Sequence, residues 1–272
     1  MADDLLSHYE RTTFSDGGKA RDVYRRGSGP AVIVIAEMPG ISRRVIEFAD
    51  RVVAIGCTAV LPHLFGPPGF DLETMSAAGR ARVMASTLGP VCVSREFSML
   101  AIGKTSPVID WLRALAVAEH ERCGGPGVGA IGMCFTGGFA LAMATDERLL
   151  APVLSQPSLP VALSKRHRRS IDISPSDLAK VKQRCAADGL QVLGLRFKGD
   201  KLSPGDRFDF LREELGDAFI AVELDDSSAR PGAVMPNPHS VVTEHLIDEP
   251  GEPTRAALDQ VLDLFRTRLL SI

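Results

Sequence analysis

Three residues of this 272-residue chain combine side-chain chemistry and chain order suited to nucleophilic acyl transfer: Cys134, Asp200 and His239. Cys134 lies in V-G-A-I-G-M-C-F-T-G-G, residues 128–138, where a short apolar run gives way to small residues and then to an Ala/Leu/Met-rich segment of helical period. That pattern predicts a strand, a sharp turn and a helix reaching about Asp146. Such a turn strains its central residue and lifts the side chain above the sheet, and small neighbours at Gly132, Thr136 and Gly137 give it clearance. The N–H of Phe135 and the unpaired N–H groups of the helix start point to the same spot, where they favour a thiolate and later an oxyanion. A free thiol is mostly protonated at neutral pH, so it needs a base. His239 can take that proton if Asp200 orients its ring.

Other readings compete. A cysteine after a strand is by default a packing residue. Gly127, Gly129 and Gly132 also spell G-x-G-x-x-G. That fingerprint follows a strand, opens a helix and is trailed by an acidic residue about 20 positions on. Here a helix and a C-G-G-P turn precede Gly127, and the glycines fall inside the strand. Asp206 is a rival acid, but it stands at a helix start where capping accounts for it. His63, His120 and His245 lack the placement of His239, which closes the loop after the last strand.

The elements that must position these residues are legible as alternating patterns. Residues 11–26 read as an edge hairpin turning at S-D-G-G. Ala31 to Ala36 is a continuous apolar run, the mark of a strand buried on both faces. Glu37 and Met38 follow it directly, and ligands of open α/β sheets bind outside the carboxyl ends of the strands. That places the Glu37 carboxylate and the Met38 N–H at a site mouth, although a solvated loop carboxylate is the plain alternative for Glu37. Ser42 caps a helix with the stripe Val45, Ile46, Phe48, Ala49, Val52 and Val53, ended by Gly56. Cys57–Leu61 is the next strand, and 71–88 has weak helical character. Ser106 and Pro107 open a strong helix with Val108, Trp111, Leu112 and Leu115 facing inward. A short strand is expected to begin at Pro152, because proline is tolerated only at a strand's first residue or at an edge. Residues 155–175 are irregular and carry the basic run 165–169, read as a solvated loop with anion binding as the alternative. A helix over 176–188, a strand over 190–197, a helix over 208–215 and a strand over 218–224 follow. The closing helix has the inner stripe Ala257, Leu258, Val261, Leu262, Phe265 and Leu269. This order predicts one α/β domain over 1–272, a mainly parallel sheet with helices on both faces.

Composition narrows the function. With 45% hydrophobic and 24% charged residues, a net charge of -3 and a pI near 6.1, nothing suggests a nucleic-acid partner. No apolar run is long enough to span a bilayer, and Met1 to Glu10 is too acidic and polar for a signal peptide. Five cysteines without paired spacing fit a reducing, cytoplasmic compartment better than a disulfide framework. No ligand cluster of metal-binding spacing is present, so neither metal nor cofactor is expected. The sequence carries no signal for oligomeric state.

Together these residues resemble the dienelactone hydrolase family, within the α/β-hydrolase fold. The likeness runs from about Ala31 to Arg268 in separated pieces. A-E-M-P-G after the first buried strand is similar to the family's E-x-x-G, which makes Glu37 its glutamate. G-C-T-A-V-L-P-H-L-F-G resembles its second strand and P-D-L-Y/F segment, with His63 in place of Asp. G-M-C-F-T-G-G is similar to its G-x-C-x-G-G turn, with Thr136 where Gly is usual. Asp200 with Pro204 four residues on, and P-H-S at 238–240, match its acid and histidine loops. The resemblance implies a Cys-His-Asp hydrolase acting on an ester or lactone through a thioester acyl-enzyme. The N–H groups of Met38 and Phe135 would form the oxyanion hole, and Glu37 would hold the resting cysteine as a thiol. An acyltransferase and a non-catalytic ligand-binding protein on the same fold are the alternatives. Family members acting on dienelactone use an arginine four residues after the histidine. Thr243 stands there, and the apolar Val241 and Val242 adjoin it, so neutral substrates are expected to be preferred unless Arg80, Arg82 or Arg95 compensates.

Overall fold

In the computed structural model, eight strands form one sheet: β1 (Glu10–Asp16), β2 (Lys19–Arg26), β3 (Ala31–Ile35), β4 (Thr58–Pro62), β5 (Val128–Met133), β6 (Leu149–Ser155), β7 (Val192–Phe197) and β8 (Phe219–Leu224). Residues 5–271 are described; residues 1–4 of the polar opening stretch, Ile272 and the Cys92 side chain lie outside the described residues. The strand order is β1-β2-β4-β3-β5-β6-β7-β8. Strands β3 to β8 are parallel, and the β1–β2 hairpin pairs antiparallel along β4. Gly17 and Gly18 make the hairpin turn with φ of 53° and 74°, a left-handed pair that suits the strand twist.

Alternation along β3 divides the core. Val32 and Val34 face the layer of α1 (Arg43–Ala54) and α8 (Pro253–Phe265). Ile33 and Ile35 face the layer built from α3 (Val108–Cys123), α4 (Phe139–Met143), α6 (Pro175–Asp188) and α7 (Gly205–Leu215). Helices therefore cover both faces, which is why β3 and β5 are apolar without alternation. This is the α/β-hydrolase arrangement, and the carboxyl ends of the parallel strands share one edge.

Several elements depart from the sequence expectations. Helix α2 spans Ala77–Val93 rather than 71–88. Asp71 accepts the N–H of Glu73 at 2.9 Å in a local turn, and Ser76 caps the helix by accepting from Gly79 at 3.1 Å. The helix continues through Pro90, whose carbonyl still receives the Ser94 N–H at 2.9 Å. Pro152 lies inside β6, opposite Ala130 of β5, rather than at its start. Pairing of β6 with β7 begins only at Val153, so the proline sits where the strand is bonded on one side and a missing donor is tolerated. Val53 is half-buried at the margin of the α1 stripe. The helix expected after Cys134 is broken into a 3-10 turn, Cys134–Thr136, and the short α4.

The irregular 155–175 segment contains one short helix, α5 (Lys165–Arg168), and the basic run is partly neutralised by its neighbours. Arg168 pairs with Asp206 at 2.6 Å, and Arg169 pairs with Glu213. Fully buried Asp172 accepts the Ser106 hydroxyl at 2.6 Å through Oδ2, while its Oδ1 has no partner among the described residues. Burial pushes this carboxyl up to about 7, against the Ser106 bonds. The folded chain therefore holds that proton more tightly than the unfolded chain does. The stability it contributes is greatest below the unfolded carboxyl value and declines as pH rises toward 7. Asp172→Asn should raise Tm by a few degrees at about pH 8 and leave it nearly unchanged at about pH 4. Melting curves at both pH values check this; an equal shift at the two would mean the carboxyl does not titrate in that window.

Candidate active site

The turn after β5 holds Cys134 at φ 52°, the left-handed region that a β-carbon disfavours. A Cβ on Gly132 would collide with the Thr136 carbonyl, and one on Gly137 with the Pro157 backbone. The Thr136 hydroxyl accepts the Met133 N–H at 3.0 Å and lies 3.0 Å from the Ile35 carbonyl and 3.2 Å from that of Ala36. A threonine at this position thus ties the turn to the end of β3. The Cys134 carbonyl takes the N–H groups of Gly137 and Ser158, both at 2.9 Å, so the first turn closes as a 3-10 turn and α4 begins afresh at Phe139. Register pairs Ile35 with Gly132, so the chain through Glu37 and Met38 leaves its strand beside the turn. The N–H groups of Met38 and Phe135 take no part in the turn and loop hydrogen bonds of the described residues.

Asp200 follows β7, its Oδ1 fixed by the N–H of Leu202 at 2.9 Å. Its Oδ2 meets His239 Nδ1 at 2.6 Å, and both side chains are buried. His239 Nε2 is buried with no hydrogen-bond partner among the described residues. Burial works against protonating this ring, but the Cys134 charge and the Asp200 hydrogen bond outweigh it, holding the imidazole well above the usual histidine range. The site therefore favours moving a proton onto His239 when Cys134 is ionised.

Glu37 is buried, but among the described residues none of its hydrogen bonds goes to Cys134. It accepts the Ser240 hydroxyl at 2.6 Å, the Gln156 amide at 3.3 Å and the Thr243 hydroxyl. Its carboxylate pins the loop that carries His239. Thr243 is consequently buried against Glu37 rather than directed at a ligand, and Val241 and Val242 are buried in the core. The expectation that these valines make the pocket less polar is corrected, because both pack into the core. Arg80 binds the Leu72 carbonyl at 3.2 Å, while Arg82 and Arg95 are exposed.

Sequence reasoning passed over residues that hold the geometry. His245 Nδ1 accepts the N–H groups of His239 at 3.3 Å and Ser240 at 3.2 Å, and its Nε2 donates to the Met235 carbonyl at 3.0 Å. This is the neutral tautomer, and burial lowers its proton affinity. Arg207 is fully buried and donates to the carbonyls of Pro157 and Ser170, both at 2.6 Å, of Pro160 at 2.7 Å and of His167 at 3.2 Å. Asp206, the rival acid, is committed to Arg168. His63 Nε2 meets the Gly66 carbonyl at 2.6 Å.

A depression of about 310 Å³ beside Asp200 and His239 is lined also by Leu202, Met235 and Asn237. A larger one of about 500 Å³, near Arg25, Ser28 and Thr58, lies at the amino ends of the parallel strands, away from these groups. No group of three or more His, Cys, Asp or Glu among the described residues is arranged to hold a metal ion. No helix among them is long and apolar enough to cross a membrane.

A family model, the dienelactone hydrolase family, matches residues 20–174, more than half of the chain. The chain is similar in structure to a dienelactone hydrolase-like promiscuous phosphotriesterase, P91, from metagenomic libraries, at 16% identity and TM-score 0.61, covering 96% of this chain and 98% of that one. It is similar to a dienelactone hydrolase from Anabaena variabilis ATCC 29413, at 16% identity and TM-score 0.54, over 96% and 99%. It also resembles a cold-adapted esterase from an Arctic intertidal metagenomic library, at 16% identity and TM-score 0.53, over 96% and 93%. At such identities these structures speak to the fold. No curated relative matches the chain.

Proposed function

This chain belongs to the dienelactone hydrolase family, and from that premise we propose that it hydrolyses a carboxylic ester or lactone through Cys134, His239 and Asp200. The observation that carries the reading is the buried 2.6 Å contact of Asp200 with His239 Nδ1, which leaves Nε2 unpartnered for Cys134 on its strained turn. His239 takes the thiol proton and the thiolate attacks the carbonyl carbon. The N–H groups of Met38 and Phe135 bind the developing oxyanion, each contributing about 10²- to 10³-fold in rate. The leaving alcohol receives its proton from His239. Water, activated by the same ring, then releases the acid from the thioester. In this scheme Glu37 acts as the anchor of the histidine loop, as its bonds to Ser240 and Thr243 support.

Burial pushes the Cys57 thiol up to about 11 and raises those of Cys123 and Cys185. Covalent chemistry is therefore disfavoured at these three thiols, which supports the choice of Cys134 on its strained turn. Position 243 is taken up by Glu37 and gives a substrate carboxylate no arginine, so a neutral substrate is favoured over one bearing a carboxylate unless Lys201, at the depression beside Asp200 and His239, supplies the charge. One experiment tests these points. The protein is mixed with a matched neutral and carboxylate-bearing ester, with and without added alcohol, and intact mass and products are followed. The expected outcome is a transient acyl adduct on Cys134, its release to water, and a higher kcat/KM for the neutral ester. Adduct formation by Cys134→Ala at the parent rate would overturn the nucleophile. Preferential transfer to the alcohol would identify an acyltransferase, and absence of any turnover would favour a binding protein. A tenfold preference for the anion would mean that a cation has replaced the missing arginine.

A further inference from the structure

We propose that Ser158 is a further catalytic residue, whose hydroxyl stabilises the Cys134 sulfur as the acyl group leaves it. The proposal rests on Cys134 being the nucleophile. Ser158 Oγ donates to Cys134 Sγ at 3.3 Å, and Ser158 N–H donates to the Cys134 carbonyl at 2.9 Å. The residue comes from the loop after β6, and its position is imposed by its surroundings. Gln156, at φ 36°, turns the chain and donates its N–H to the Leu195 carbonyl at 2.7 Å. Pro157 rests in the space left by Gly137. The carbonyls of Pro157 and Pro160, on either side of Ser158, are both gripped by Arg207. A hydroxyl held on both flanks and bonded to the reacting atom is preorganised for that atom.

The chemistry assigns it a step. In deacylation, water adds to the thioester carbon while His239 takes its proton. The tetrahedral intermediate then collapses, the C–S bond breaks, and its electron pair returns to sulfur. The acid leaves, and the proton on His239 remains available to the thiolate, so charge and protons balance. A hydroxyl donor binds a thiolate much more strongly than the nearly neutral sulfur of a thioester. The Ser158 bond therefore strengthens as the C–S bond breaks. In acylation its removal has opposing effects, since a less stabilised thiolate is scarcer but more nucleophilic. Deacylation should carry most of the loss.

The test uses p-nitrophenyl butyrate with the parent protein, Ser158→Ala, and the near-isosteric pair Ser158→Thr and Ser158→Val. Rapid quenching and intact mass measurement give the rates at which acyl-enzyme forms and decays. The alanine variant keeps the backbone bond to Cys134, so the turn is retained. Expected are decay about tenfold slower in the Ala and Val variants, formation within about threefold of the parent, and recovery of decay in the Thr variant. Formation and decay falling together in Ala and Val alike, or decay unchanged, would overturn the proposal. Cys134→Ala run alongside separates the two readings: adduct formation without Cys134 would refute the nucleophile itself.

Discussion

Asp200→Asn is expected to lower kcat by roughly 10³- to 10⁴-fold while leaving Tm within a few degrees of the parent. The size of the effect follows from how the carboxylate is fixed. Oδ1 accepts the Leu202 N–H, and an asparagine would keep its oxygen there, because the amide nitrogen cannot accept that bond. The amide nitrogen is then directed at His239 Nδ1, where Oδ2 now sits at 2.6 Å. A donor facing Nδ1 forces the imidazole proton to Nε2, the atom that must accept the proton of Cys134. The base is thus disabled by the wrong tautomer with little disturbance of packing. Rates of acyl-enzyme formation and thermal melts check both halves of the expectation. A loss of less than tenfold in a folded variant would mean that another group orients His239.

Arg207→Leu should have the largest effect on stability. Removing the guanidinium strands the four carbonyls it serves, of Pro157, Pro160, His167 and Ser170, in a buried region. An unsatisfied buried acceptor costs about 1–3 kcal/mol, and partial relaxation leaves a net loss of roughly 3–5 kcal/mol. For a chain of this size, that corresponds to a fall in Tm of roughly 5–10 °C. Burial lowers the proton affinity of this arginine to about 10, while the nearby Asp200 charge helps retain it, so it stays cationic at neutral pH. Arg207→Lys should recover only part of the loss, since an ammonium lacks the planar fork that reaches four acceptors. Melting curves and limited proteolysis provide the check, with new cleavage expected between residues 157 and 170. Parent-like melting of the leucine variant would show that the loop holds itself.

The three proposed reactive positions are legible in the sequence because a parallel sheet gathers the carboxyl ends of its strands at one edge. Cys134, Asp200 and His239 could therefore be placed by their order in the chain, before any distance was known. The apolar runs of β3 and β5 were equally plain, since burial on both faces leaves no polar alternation. What failed to show depended on groups without a sequence signature. Arg207 and His245 act on backbone carbonyls and N–H groups, which every residue carries, so no pattern distinguishes the position served. Ser158 reaches Cys134 only because the irregular loop after β6 folds back over Gly137. Thr243 looked like a lost substrate contact because its spacing from His239 was readable while its direction was not. The shifted start of α2 and the proline inside β6 have the same origin: local rules give way where tertiary pairing supplies or excuses a hydrogen bond.

The grip of Arg207 on carbonyl oxygens also bears on how this protein could diverge. A loop anchored through its side chains must conserve them, whereas a loop anchored through its main chain need conserve only its path. Leu163 is 69% exposed, and Lys165 and Arg166 are exposed beside it, on a segment whose backbone is fastened at Pro157, Pro160, His167 and Ser170. The exposed residues between Pro160 and His167, Leu163, Lys165 and Arg166, are free to drift in size and charge while the loop keeps its shape. Selection could therefore rewrite this exposed segment one residue at a time, each intermediate remaining folded, so long as the arginine on a different helix is left alone.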